Sequence, residues 1–198
     1  MISNRMKQSF DYTAVIARVC EDICFRLPEF RHIDMRYVGV SFSQTKHSDP
    51  HGVFASTYPL RFQDGAQTTL RRGRPWTIQR FFKRDGTEYL YILYFYVPRF
   101  MELSLTDKLE TIIHELYHIN PLFNGDLRRF KGRCFAHGSS QKKYDATVRA
   151  LTQRWLARDP APEIWDPLRY NFAQIQSIYG NITGTRIPTP KIVPVRDC

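Results

Sequence analysis

The residues His114-Glu115-Leu116-Tyr117-His118 place two imidazoles and one carboxylate at a spacing that can do chemistry on a single helix. Histidines four residues apart stand one above the other on a helix face. Two imidazole nitrogens so placed can hold one zinc ion at roughly 2.0–2.1 Å each. The glutamate beside the first histidine is then close enough to take a proton from water polarised by the metal. A five-residue pattern also arises by accident, and a solvated helix with two stray histidines would read the same way.

The flanking sequence favours the chemical reading. Over Leu105–Ile119 the apolar residues Leu105, Leu109, Ile112, Ile113 and Leu116 fall on one stripe at about 100° per residue. His114 and His118 lie roughly 140–180° from the centre of that stripe, on the face turned away from the core. Ser104 and Asp107 resemble a capping box at the start, and Pro121 stops the helix just after His118. A histidine serving only the core would lie on the stripe.

A catalytic zinc needs a third protein ligand and an open position for water. His137, in Ala136-His137-Gly138-Ser139, is the favoured candidate, with Gly138 free to bend the backbone and aim the ring. Asp126 and Asp145 are alternatives. Glu163 is remote, and His32, His47 and His51 all precede the motif. Glu110 stands one turn before His114 and could accept its free N–H. Tyr144 or Tyr117 could stabilise an oxyanion. Arg128 and Arg129 could hold a substrate carbonyl or carboxylate, although such pairs more often make structural ion pairs.

The chain has 198 residues, one domain's worth, with a net charge of +10. The charge is concentrated. Residues 71–84 hold six Lys/Arg and no acid, and residues 121–158 hold nine against Asp126 and Asp145. Such patches could hold nucleic acid or could simply be solvated surface. The longest apolar run, Tyr89–Val97, is too short to cross a bilayer as a helix, and Met1–Arg5 opens no secretory signal. Cys20 and Cys24 read as core thiols, which suggests a reducing, cytoplasmic setting.

The elements that must position these groups follow from pattern. Asp11–Leu27 reads as a helix with Val15, Ile16, Val19, Ile23 and Leu27 inward, closed by Pro28. Asp34–Ser43 and Val53–Phe62 read as strands. Thr77–Lys83 and Glu88–Pro98 flank Arg84-Asp85-Gly86-Thr87 as a hairpin, whose second arm is aromatic enough to be central. A helix from about Ser140 to Arg158 carries Tyr144, Val148, Leu151 and Trp155 at core spacing, and a short one is expected near Leu168–Tyr179. The expected architecture is α+β: a small mixed or antiparallel sheet with an N-terminal helix, the metal helix on one face near an edge, and a C-terminal helix. Residues 1–180 form the domain, and the Pro-rich residues 181–198 an extended tail.

These residues resemble the SprT-like zinc metalloproteases, in which the third histidine also precedes a glycine. The likeness is closer to the phage-type metallopeptidases of phages and prophages. It rests on Tyr91-Ile92-Leu93, Val97-Pro98-Arg99-Phe100, His114–Asn120, Pro121, Phe123-Asn124-Gly125-Asp126-Leu127-Arg128-Arg129-Phe130 and His137-Gly138. In layout it covers residues from about 10 to 158. The resemblance implies a minimal zincin-like fold, with one zinc at His114, His118 and His137, Glu115 as catalytic base, and an origin in a phage or prophage. Unlike many SprT-like proteins, the sequence carries no downstream four-cysteine zinc ribbon.

The expected function is therefore a cytoplasmic zinc metallopeptidase that takes a protein or peptide substrate, with nucleic acid as a second expected partner and no membrane. Two other classes compete: a nucleic-acid-associated phage protein that uses zinc only structurally, with Asp126 or Cys134 as a fourth ligand, and a zinc amidase. Glu115 separates the first from an enzyme, because a structural site needs no acid there.

Overall fold

Seven consecutive residues, Tyr91–Val97, are apolar or aromatic because both faces of the strand they form are covered. Tyr91, Leu93 and Phe95 point into the main core, and Ile92 and Tyr94 into a smaller one on the other side. The computed structural model describes residues 9–45, 52–130, 137–138 and 140–195. Its elements run β1 (Phe10–Asp11), α1 (Tyr12–Arg26), β2 (Val38–Gln44), β3 (Ala55–Pro59), β4 (Thr68–Arg71), β5 (Arg74–Ile78), β6 (Tyr91–Val97), α2 (Leu105–Tyr117), α3 (Gln141–Leu156), α4 (Pro162–Trp165), α5 (Phe172–Tyr179), β7 (Ile182–Thr183) and β8 (Ile192–Pro194). The architecture is α+β.

The central sheet has the order β2-β6-β3, with β2 parallel and β3 antiparallel to β6. α1, α2 and α3 cover one face, and their expected inward residues are buried, including Val15, Ile23, Leu109, Ile113, Val148 and Trp155. Cys20 and Cys24 are buried free thiols, as expected. Asp11, Ser104 and Ser140 each accept a backbone N–H at the start of their helix, a cap worth about 1 kcal/mol. Ser104 also donates to the Asp107 carboxylate at 2.6 Å. Lys108 is fully buried on α2, and its ammonium donates to the carbonyls of Leu168 (2.8 Å) and Tyr170 (2.9 Å). No helix among the described residues is long and apolar enough to cross a membrane.

Three expectations need correction. Residues 77–83 do not pair along 88–98. A tight turn at 83–87 exists, but only a bridge between Phe82 and Glu88 joins its arms. Thr77 and Ile78 belong instead to β5, in a second antiparallel sheet of order β4-β5-β8. The turn chemistry was right, but β6 gains more burial between β2 and β3. The expected strand at residues 34–43 begins only at Val38, because Asp34 caps a 3-10 turn at Met35–Tyr37. The described chain after Asn181, residues 182–195, packs on the molecule rather than standing off as a tail. Ile182–Thr183 pairs with β1, and Ile192–Pro194 with β5. Ile187 fills the second core, where a Cβ on Gly39 would lie 2.7 Å from its Cδ1 and would force that side-chain end to shift.

Candidate metal centre

The site is built where α2 ends. His114 and His118 project from its last turn, and the loop that follows is tied back firmly. The Tyr91 hydroxyl donates to the Asp126 carbonyl (2.8 Å) and accepts from Gly125 N–H (2.9 Å). The Asp126 carboxylate, 2% exposed, takes both Nε and Nη2 of Arg129 at 2.9 Å and the backbone N–H groups of Asp64 and Leu127. Asp126 is therefore fully engaged in structure and does not reach the histidines. Arg128 donates to the Tyr117 carbonyl (2.8 Å), lies over the Tyr117 ring, and gives its backbone N–H to the His118 carbonyl (2.7 Å). It closes the C-terminal end of the helix, where a cation meets the free carbonyls and the negative end of the dipole. Both arginines are engaged within the fold.

His137 meets the other two histidines, and Gly138 after it has φ 72, a left-handed conformation that favours glycine. One ligand atom from each of His114, His118 and His137 lies within 4.8 Å of the others, so the triad could bind a metal ion. Nε2 of His137 is 3.3 Å from Nε2 of His118. Two nitrogens bound tetrahedrally at roughly 2.0–2.1 Å would stand about 3.3–3.4 Å apart, so the His118–His137 pair is spaced for a metal of that size. Burial pushes the imidazolium pKa of His114 down to about 4 and that of His118 down to about 3, helped by the neighbouring histidines. Both are then neutral near pH 7, with lone pairs available to a metal.

The histidine face, turned away from the apolar stripe, is not left to solvent. α3 lies across it, and the Tyr144 ring contacts all three imidazoles at centroid distances of 4.7–5.5 Å. The Tyr144 hydroxyl donates to the His114 carbonyl (3.2 Å) and sits 3.5 Å from Nδ1 of His118. That is the side of the ring opposite Nε2. Tyr144 therefore orients His118 rather than facing an oxyanion. A proton on Nδ1, donated to the phenol oxygen, leaves Nε2 as the ligand atom.

Glu115 is 5% exposed, and burial raises its carboxyl pKa to about 7 against the lowering effect of Thr57. The Thr57 hydroxyl is 2.7 Å from its Oε2 and 2.8 Å from its backbone carbonyl, and its one proton serves either acceptor. Sequence reading missed Thr57. It stands opposite Leu93 on β3 and so faces the helices, a fact visible only once the register is known. Glu115 and His114 open onto a cleft of about 500 Å³, walled by the chain entering β3, by α2 and by Asp145, Val148 and Arg149 of α3. Glu110 also lines it, but its partner is Arg149 at 3.6 Å, not His114. Asp145 accepts from Gln141 at 2.7 Å and lies outside the three-ligand group. Cys134, His47 and His51 lie outside the described residues. No protein-family model, curated protein or solved structure matches this chain.

Proposed function

We propose that this chain is a zinc metallopeptidase of minimal zincin-like fold, hydrolysing peptide bonds with His114, His118 and His137 as metal ligands and Glu115 as general base. The observation that carries this reading is the convergence of three imidazoles, with His114 and the buried Glu115 carboxylate opening onto one cleft. A zinc ion at the triad would supply Lewis acidity and lower the pKa of a bound water. Glu115 takes a proton from water in the cleft at a carboxylate oxygen and returns it to the leaving amine. Thr57 holds that carboxylate in one rotamer. Tyr144 fixes the His118 tautomer. β3 is an edge strand that leads out of the cleft wall, and an extended peptide would add along it through main-chain hydrogen bonds.

This reading agrees with the resemblance to SprT-like and phage-type metallopeptidases. A purely structural zinc would be closed by a fourth protein ligand. Among the described residues the ligand group has three members, and Cys134 lies outside them. The test is Glu115→Gln. Zinc content stays near one per chain, while hydrolysis of an unfolded protein falls by about 10²–10⁴-fold, the usual worth of a general base. Loss of zinc in that variant, or unchanged turnover, refutes the assignment.

A further inference from the structure

The two basic stretches have different fates. In residues 121–158 most described arginines are engaged internally: Arg128 at the end of α2, Arg129 with Asp126, Arg149 with Glu110 and Arg154 with Glu29. In residues 71–84, Arg80 is paired with Glu88, but Arg71, Arg72 and Arg74 carry no ion pair among the described residues. These three form the tip of the β4–β5 hairpin. Its two-residue turn, Arg72-Gly73, has both residues at positive φ (51 and 75), the geometry that lets two strands close tightly. Arg71 stands directly opposite Arg74 in the ladder. Like charges in that position cost stability, so folding alone does not explain them. Leu70 beside them is 75% exposed.

We propose that the β4–β5 hairpin is a DNA-binding arm whose tip enters the major groove of a duplex. β8 pairs with β5 over Trp76–Ile78 and Val195 donates its N–H to the Pro75 carbonyl (3.0 Å), so among the described residues the hairpin is two-stranded beyond Pro75. The Arg71–Arg74 pair and the turn reach roughly 3–7 Å beyond that strand in backbone alone, at about 3.4 Å per residue, and the arginine side chains extend further. The major groove of B-DNA is about 12 Å wide and about 8.5 Å deep, and it admits a two-stranded ribbon. The major groove of duplex RNA is too narrow for one. DNA phosphates present one charge per roughly 1.7 Å of axis, dense enough to engage guanidinium groups crowded at one tip. Trp76, half-buried, shares the face of Arg71 and Arg74.

The test is fluorescence anisotropy of the full chain with a labelled mixed-sequence duplex of about 20 base pairs. The variant R71Q/R72N/R74Q keeps the turn, since Asn tolerates positive φ. The control R31Q/K142Q/K143Q lowers net charge equally at exposed positions away from the arm. Each phosphate contact contributes a slope of about 0.9 in log affinity against log salt. Three contacts make wild-type binding fall about 40-fold more than that of the arm variant between 50 and 200 mM salt. The control keeps the wild-type slope, and polyglutamate at equal charge does not displace the protein. Equal losses in the two variants overturn the proposal, as does displacement by polyglutamate or tighter binding to single-stranded DNA of the same length. Zinc content and circular dichroism verify that each variant is folded.

Discussion

Replacing Tyr144 with Phe separates packing from hydrogen bonding at the metal centre. The ring remains, and with it the stacked contact on His118 at 5.5 Å and the edge contacts to His114 and His137. What disappears is the hydroxyl that donates to the His114 carbonyl at 3.2 Å and lies 3.5 Å from His118 Nδ1. In the metal-free protein this is one lost hydrogen bond, about 1 kcal/mol, or roughly 2–4 °C in the unfolding midpoint for a domain of this size. Supporting partners of a metal-bound imidazole are typically worth 10–100-fold in metal affinity. The contact to Nδ1 is long, so the low end applies, about tenfold. At saturating zinc that is a further ~1.4 kcal/mol, roughly 3–6 °C more. Chelator competition gives the affinity, and thermal unfolding with and without zinc gives the two midpoints. An unchanged zinc affinity, with the same midpoint loss in both forms, would refute the claim that Tyr144 orients His118.

Two other outcomes test the ligand set. His137→Ala weakens zinc by more than the roughly 10–100-fold that a supporting residue costs, whereas Asp126→Ala lowers stability by about 2–4 kcal/mol but leaves zinc affinity of the folded protein near wild type; the reverse pattern in a metal-binding titration would exchange their roles. In the metal-free protein, His114 and His118 have folded pKa values near 4 and 3, below the ordinary 6.5. The unfolded chain then binds more protons, so stability is present above about 6.5 and is lost as pH falls towards 4. Glu115, raised to about 7, acts in the opposite sense, favouring the folded state at low pH and losing that contribution as pH rises through about 7. Two histidines outweigh one carboxylate, so urea unfolding of metal-free protein gives lower stability at pH 5 than at pH 7. Equal or higher stability at pH 5 would contradict their burial as neutral rings.

The sequence by itself determined what periodicity and short spacing can carry. The stripe Leu109, Ile112, Ile113 and Leu116 defined the metal helix and put His114 and His118 on one face, because helical geometry depends only on residues three and four apart. The unbroken apolar run of Tyr91–Val97 announced a strand covered on both sides, and Gly138 after His137 marked a backbone bend. Only the tertiary structure decided which partners those elements take. Residues 77–78 pair with the C-terminal strand rather than along the aromatic arm, Tyr144 arrives behind His118 from a helix 26 residues on, and Thr57 meets Glu115 from 58 residues back. Arg128 and Arg129, candidates for substrate from their charge, close a helix end and neutralise a buried aspartate. Local patterns fix which face a residue is on. What lies across from that face depends on long-range pairing, and its free energy is shared among burial, register and charge contacts that no single stretch of sequence contains.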